Sequence, residues 1–341
     1  MWSIKKNKMK VFITGIAGFL GSHLADLMIS NGHEVAGNDN MIGGYEDNVP
    51  QGAEFHQIDC RDLDKLTAAM KGSDIVYHCA ATAYEGLSVF SPVLVTQNIF
   101  EASVSAVTAA IKNSVKRFVY CSSMARYGTN QTPFQETYQP LPQDPYGIAK
   151  EAGERVVKNL CETHGVEWNV AVPHNIVGPR QKYDDPFRNV MSIMLNRMLQ
   201  GKAPIIYGDG EQMRCFSYID DCLYCLNELA FNEKVVGEII NIGPDEEFVT
   251  INHLAELCAN ETGCNLDPIH YEDRPKEVKL ATCSADKART LLGYKTSTNL
   301  QTAVKKTADY IRLRGTRKFK YHLPLEIIND RTPKTWKDKL I

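Results

Sequence analysis

No run of apolar residues in this sequence approaches the length of a membrane span, and the opening MWSIKKNKMK is not followed by the apolar stretch of a signal peptide. Neither sign of charge predominates, with 38 Lys and Arg against 41 Asp and Glu. A formal net charge of -3 over 341 residues leaves no basic field for nucleic acid. The ten cysteines lack disulfide-like spacing, which fits a reducing compartment. Cys222 and Cys225 form a C-x-x-C with no second pair to complete a zinc site, and they read as core packing within a helix. No internal repeat and no low-complexity segment is present. These absences imply a cytoplasmic protein with no metal site and neither membrane nor nucleic acid among its partners. One stretch is unbalanced: from Lys305 to Ile341 basic residues outnumber acidic ones by 11 to 4, which reads as a solvated surface extension.

What is present is an alternation. KVFIT, EVAGND, DIVYHCA and RFVYCSS are short apolar runs, separated by helical patterns such as LGSHLADLMISNG, LDKLTAAMKG and QNIFEASVSAVTAAIKNS. Apolar strands without polar alternation, divided by helices, imply a parallel sheet covered on both faces. A further helix over 146–163 and a strand in WNVAVPHNIVG continue the series. Beyond residue 175, Pro, Gly and Asp break the rhythm. The expected fold is therefore α/β, a Rossmann-type doubly wound parallel sheet with a smaller α/β C-terminal substrate lobe. The boundaries expected are 1–174 with about 212–245 for the first domain, 175–211 and 246–312 for the lobe, and 313–341 for a C-terminal extension.

Directly after the first strand stands Gly15-Ile-Ala-Gly18-Phe-Leu-Gly21, leading into a helix. Between a strand and a helix, such glycines let the backbone approach a pyrophosphate while helix N–H groups face it. The second strand ends in Asp39, 18 residues past Gly21. A carboxylate there accepts both ribose hydroxyls of NAD and repels the 2′-phosphate of NADP, so NAD is the cofactor expected. Asp59 ends the third strand, where an adenine ring would lie.

Tyr146 and Lys150 in DPYGIAKEAGE stand one helical turn apart and share a face. An ammonium beside a phenol stabilises the phenolate and lowers its pKa from about 10 toward neutrality, which makes a general base. An ordinary exposed Tyr–Lys pair has the same spacing. Two serines at a strand end, 23 residues upstream of Tyr146, favour chemistry: Ser123 is placed to bond the substrate hydroxyl that Tyr146 deprotonates. The nicotinamide would then face the carbon bearing that hydroxyl.

With these residues in view, the sequence resembles the extended short-chain dehydrogenase/reductase family, and within it the nucleotide-sugar epimerases typified by UDP-galactose 4-epimerase. The resemblance runs from about residue 9 to residue 310 through GIAGFLG, HCAA, SSMARYG, YGIAK, PHNIVGPR, IIYGDGEQMRCFSYIDD and DRPKEV. It implies that Gly15, Gly18, Phe19, Leu20 and Gly21 hold the pyrophosphate of NAD, Asp39 and Asn40 the adenosine ribose, and Asp59 and Cys60 the adenine. Cys79, Ala80, Ala81 and Asn98 would line the dinucleotide, with Tyr146, Lys150, Pro173 and His174 beside the nicotinamide. The catalytic hydroxyl falls on Ser123 rather than Ser122. For the sugar nucleotide, Asn175, Arg214 and Arg274 would meet the diphosphate, Tyr207 would stack on the base, and Glu277 would accept a ribose hydroxyl. Pairing as a homodimer through a four-helix bundle is also implied, with QNIFEASVSAVTAAIKNS and GIAKEAGERVVKNLCETHG supplying the helices.

Neighbours of the catalytic hydroxyl separate the reactions this family runs. The 4,6-dehydratases and UDP-glucuronate decarboxylases resemble one another in carrying acidic residues in the turn, where this chain has Met124 and Ala125. The 3,5-epimerases carry a Cys at the position of Ala125. What remains is 4-epimerisation: hydride out at C4, rotation of the 4-keto sugar, hydride back on the other face. The substrate expected is a UDP-hexose; a small residue, Ala281, at the gatekeeping position leaves room for an N-acetyl group. A UDP-hexuronate is open as well, its carboxylate meeting an Arg. A ketoreductase or dehydrogenase that exchanges its cofactor, a 3,5-epimerase, and a non-catalytic nucleotide-binding regulator are the alternatives. The last loses the Tyr or Lys in most such proteins, and both are present here. Arg126 stands where relatives have Val or similar, and both a paired charge and a role beside the sugar stay open for it.

Overall fold

The computed structural model describes residues 8–341, so most of the amino-terminal stretch read for a signal sequence lies outside it. Seven parallel strands form the main sheet: β1 (Lys10–Thr14), β2 (Glu34–Asn38), β3 (Glu54–His56), β4 (Ile75–His78), β5 (Arg117–Cys121), β6 (Glu167–Pro173) and β7 (Ile239–Ile242). Their spatial order is β7-β6-β5-β4-β1-β2-β3. Every residue of β5 is buried, which explains why its sequence is apolar without alternation: helices cover both faces of the sheet. The chain builds outward from β1 through β2 to β3, then returns to lay β4 on the opposite side of β1. That reversal opens a crevice at the carboxyl ends of β1 and β4, where α/β sheets bind ligands.

Five helices matter for the site: α1 (Phe19–Ser30), α2 (Leu63–Ala69), α3 (Pro92–Lys112), α4 (Pro145–His164) and α5 (Ile219–Phe231). α4 shows how local chemistry sets its start and stop. Asp144 caps it by accepting from the Gly147 N–H at 2.9 Å, Pro145 opens the first turn, and Gly165 ends it at φ +72°. α3 departs from the sequence reading in two ways. Its middle, Gln97–Glu101, is a π turn, and by length and composition the helix is apolar enough to cross a membrane. In this fold it packs against α2 and α4. Cys222 and Cys225 are buried in α5, as core residues.

The remaining segments form short sheets beyond the strand ends. Ile205–Tyr207 pairs with Ile269–Tyr271, and Met213–Arg214 lies between Val249–Thr250 and Leu280–Ala281. The basic C-terminal stretch is not the solvated extension its charge suggested. Leu323, Thr335 and Trp336 are buried, and Trp336 packs edge-on against Phe90 and Phe187 with ring centroids 6.1 and 5.5 Å apart. The Glu326 carboxylate accepts from the Val93 and Leu94 N–H groups at 2.9 and 2.8 Å, filling the first turn of α3. Most of the Lys and Arg residues of this stretch are exposed around an apolar anchor, with Arg314 and Arg317 lying over Tyr45, so net charge was a poor guide to burial.

Candidate active site

A cavity of about 290 Å³ lies along the carboxyl ends of β1, β2, β4 and β5. The glycine loop forms its floor. Gly15 has φ +74°, and a side chain there would meet the Ala80 backbone at 2.9 Å. A Cβ on Gly21 would fall 2.2 Å from the Gly15 carbonyl, so the loop folds tightly only without side chains. No side chain caps the first turn of α1, which leaves its N–H groups to face the cavity. A pyrophosphate fits this cradle.

Asp39 follows β2, buried, with its carboxylate accepting from the Ala17 N–H at 3.1 Å and the Met41 N–H at 2.8 Å. Burial raises its pKa from the ordinary value, against those backbone bonds. β3 stops at His56, three residues short of Asp59. Asp59 is reached by Asn40 at 3.1 Å and by both arms of Arg61. Its burial favours the neutral acid, but the Arg61 bonds outweigh this and hold the carboxyl down at about 2. Cys60, Cys79, Ala80, Ala81 and Pro173 also line the cavity, as does Asn98 from the π turn of α3.

Ser123, Tyr146 and Lys150 meet at the inner wall. Ser123 follows β5 and accepts from the Ala125 N–H at 3.2 Å, which holds the turn in place. Tyr146 and Lys150 are both buried on one face of α4. The expected phenol–ammonium contact is not made. The Lys150 Nζ donates to the Cys121 carbonyl at 2.7 Å, and burial pushes the Tyr146 pKa up to about 12, with the Ser123 hydroxyl opposing. Lys150 itself is lowered to about 8 by burial. The ammonium thus sits beneath the strand end, on the same cavity wall as the phenol.

Other expected residues divide. Asn175 lines the cavity, with φ +42° and its amide donating to the Cys215 carbonyl at 2.9 Å. His174 does not line it. Side chains alternate along an extended chain, so the residue after Pro173 turns away, and its Nε2 donates to the Pro244 carbonyl at 2.9 Å. Tyr207, Arg214, Arg274 and Glu277 gather outside the main cavity. Glu277 takes Arg214 at 3.2 Å and Arg274 at 2.7 Å, while the Arg274 guanidinium lies 4.8 Å from the Tyr207 ring centre. The Tyr207 hydroxyl meets Thr335 of the C-terminal stretch at 2.5 Å.

Between the two groups is a smaller hollow of about 20 Å³, bounded by Met124, Ala125, Asp144, Arg214 and Ala281, with Glu85 common to both spaces. Sequence reasoning missed Glu85. A single acidic residue in the loop after HCAATAY carries no spacing signal, and only the fold brings it opposite the serine turn.

A model of the NAD-dependent epimerase/dehydratase family matches residues 11–243 of this chain. A putative UDP-glucose 4-epimerase of Methanocaldococcus jannaschii is 32% identical over 309 residues, spanning 89% of this chain and 98% of that protein. The crystal structure of UDP-glucose 4-epimerase from Thermotoga maritima with UDP-glucose superposes with a TM-score of 0.85 at 31% identity, covering 90% of this chain and 99% of that one. UDP-glucuronic acid 4-epimerase from Bacillus cereus, in complex with UDP-glucuronic acid and NAD, gives a TM-score of 0.83 at 28% identity, covering 90% and 100%.

Proposed function

The chain belongs to the NAD-dependent epimerase/dehydratase family, and on that footing we propose that it is a nucleotide-sugar 4-epimerase acting on UDP-hexoses. The observation that carries the reading is the convergence of Ser123, Tyr146 and Lys150 on one wall of the cofactor cavity, with Met124 and Ala125 in the adjoining turn unable to move protons. Bound along the glycine cradle, NAD supplies a reversible hydride acceptor. Tyr146 takes the proton of the sugar hydroxyl, Ser123 holds the same oxygen, and the Lys150 charge favours the phenolate as the site fills. Returning the proton through the same pair completes either stereoisomer, so no further acid is required for inversion at C4.

On the substrate side, Arg214 and Arg274 offer forks for a diphosphate once Glu277 turns to a ribose hydroxyl. Ala281 lines the hollow beside Glu85, and its small side chain supports acceptance of UDP-N-acetylhexosamines. For assembly, half-exposed Val104 and Thr108 of α3 and Ala152 and Val156 of α4 form a face suited to a second copy. The test of function is incubation of the purified protein with a panel of nucleotide sugars, without added NAD, and NMR of the products. Inversion at C4 supports the reading; a product oxidised or reduced overall, with stoichiometric need for added cofactor, favours the dehydrogenase.

A further inference from the structure

After Ser123 the serine turn carries Met124 and Ala125, neither of which can move a proton. The space in front of that turn nevertheless contains a carboxyl group. Glu85 opens the short helix Glu85–Ser88 after β4 and reaches the hollow from the opposite side. It borders the main cavity as well, together with Ser123 and Tyr146, so it stands where cofactor space and sugar space join.

Two features separate Glu85 from the other acids nearby. Asp144 is committed to capping α4 through the Gly147 N–H, and Glu277 is committed to Arg214 and Arg274. The Glu85 carboxylate, in contrast, accepts no hydrogen bond and makes no ion pair among the described residues, while its surface is open to the cavity. Exposed to the cavity and without a partner in the fold, the carboxylate is free to meet a bound sugar. Like Asp144, Glu85 is close enough to Tyr146 to weigh against its ionisation, and the two groups border the same cavity.

We propose that Glu85 is an acid–base residue for the sugar carbon adjacent to C4, giving the site proton-transfer chemistry beyond hydride transfer. The inference rests on the C4-oxidation reading above. Once C4 is a carbonyl, the neighbouring C–H is acidic. The Glu85 carboxylate takes that proton; the C–H electron pair becomes the enolate double bond, and the carbonyl pair moves to O4. There the Tyr146 and Ser123 hydroxyls hold the negative charge. Return of the proton from the Glu85 carboxyl to carbon restores the ketone. No oxidant or reductant is consumed, and the only exchange is between the carboxyl proton and solvent.

The protein around the cavity mouth, followed by the nearby Asp144, raises the exposed Glu85 carboxyl to about 7, with Arg214 opposing, Glu277 adding to the rise and Arg274 opposing. The groups facing it are thus Asp144 and Tyr146 of α4, Arg214 of its strand, and Arg274 and Glu277 of the following loop. A carboxyl in that range both gives and takes protons at neutral pH.

The test is turnover of the nucleotide-sugar panel in D2O, reading by NMR the deuterium gained at C3 and C5 against inversion at C4. Wild-type protein is expected to wash deuterium into one of those carbons, and E85Q to lower the ratio of wash-in to inversion about a hundredfold. Bound NAD per chain shows that the variant is folded. Independently, protein labelled at glutamate carboxyl carbons should show resonances titrating near neutrality, of which E85Q removes one and leaves that of Glu154. Inversion without wash-in in the wild type overturns the role of Glu85 and leaves the epimerase standing. Equal ratios in wild type and E85Q also overturn it. Absence of change at any carbon with every sugar overturns both readings.

Discussion

The Arg126 guanidinium and the Glu154 carboxylate form an ion pair of 2.9 Å in which both side chains are almost wholly removed from solvent. Glu154 also accepts from the Ser122 hydroxyl, so one carboxylate of α4 grips the serine turn at two points. The pair fixes Ser122 and leaves Ser123, next along the chain, facing Tyr146. Arg126 is therefore the paired charge of the two roles open to it, and it acts on the turn from behind the site.

Removing one partner of this pair strands the other in a buried position. Arg126→Met is expected to lower stability by about 3–5 kcal/mol, read from urea unfolding. The double variant Arg126→Met/Glu154→Met should recover much of that loss. A single variant as stable as the wild type would contradict the account.

Stability should also carry a pH signature from Glu154. Burial raises its pKa from 4.5 to about 7, with Arg126 and Ser122 opposing. The folded state then holds the proton more tightly than the unfolded chain, so this contribution is full below about 4.5 and is lost as pH rises through about 7. Glu154→Gln should flatten the unfolding midpoint across that window; an unchanged slope would oppose the assignment.

Lys150 must keep its charge to favour phenolate, and burial has brought its pKa down to about 8. The kcat/KM profile is expected to fall as pH rises through that value. Lys150→Met should reduce turnover about a hundredfold or more and abolish the basic limb.

Ala281 sets the room beside the sugar. Ala281→Tyr should lower kcat/KM for UDP-N-acetylhexosamine about tenfold or more relative to the unacetylated sugar. Parallel losses for both would argue that the residue does not face the C2 substituent.

The C-terminal stretch should behave as part of the domain. Trp336→Ala removes a ring packed against Phe90 and Phe187 and should cost about 3–5 kcal/mol. Thr335→Val, which loses the bond to Tyr207, is expected to weaken UDP binding measured by calorimetry, and Thr335→Ser to restore it.

The legible parts of this protein were those with a rigid local rule. Gly15 and Gly21 could be read because only glycine allows that loop, and Tyr146 with Lys150 because one helical turn puts them on a face. His174 was misplaced because a motif names a stretch, whereas strand alternation decides which residue of the stretch faces in. Glu85 and Trp336 were invisible for a different reason. Each gains its meaning from a neighbour far along the chain, Ala125 in one case and Phe187 in the other, and no local pattern encodes that distance. The contact assumed between Lys150 and Tyr146 failed because the ammonium donates to the Cys121 carbonyl at the end of β5.

The most direct test of the account follows the hydrogen at C4. A UDP-hexose deuterated at C4 is incubated with the purified protein, and the epimer is examined by NMR. The account predicts inversion with the deuterium retained at C4, because the hydride leaves and returns within one closed site. An epimer carrying hydrogen at C4 in place of the label, or label lost to added NAD, would contradict it.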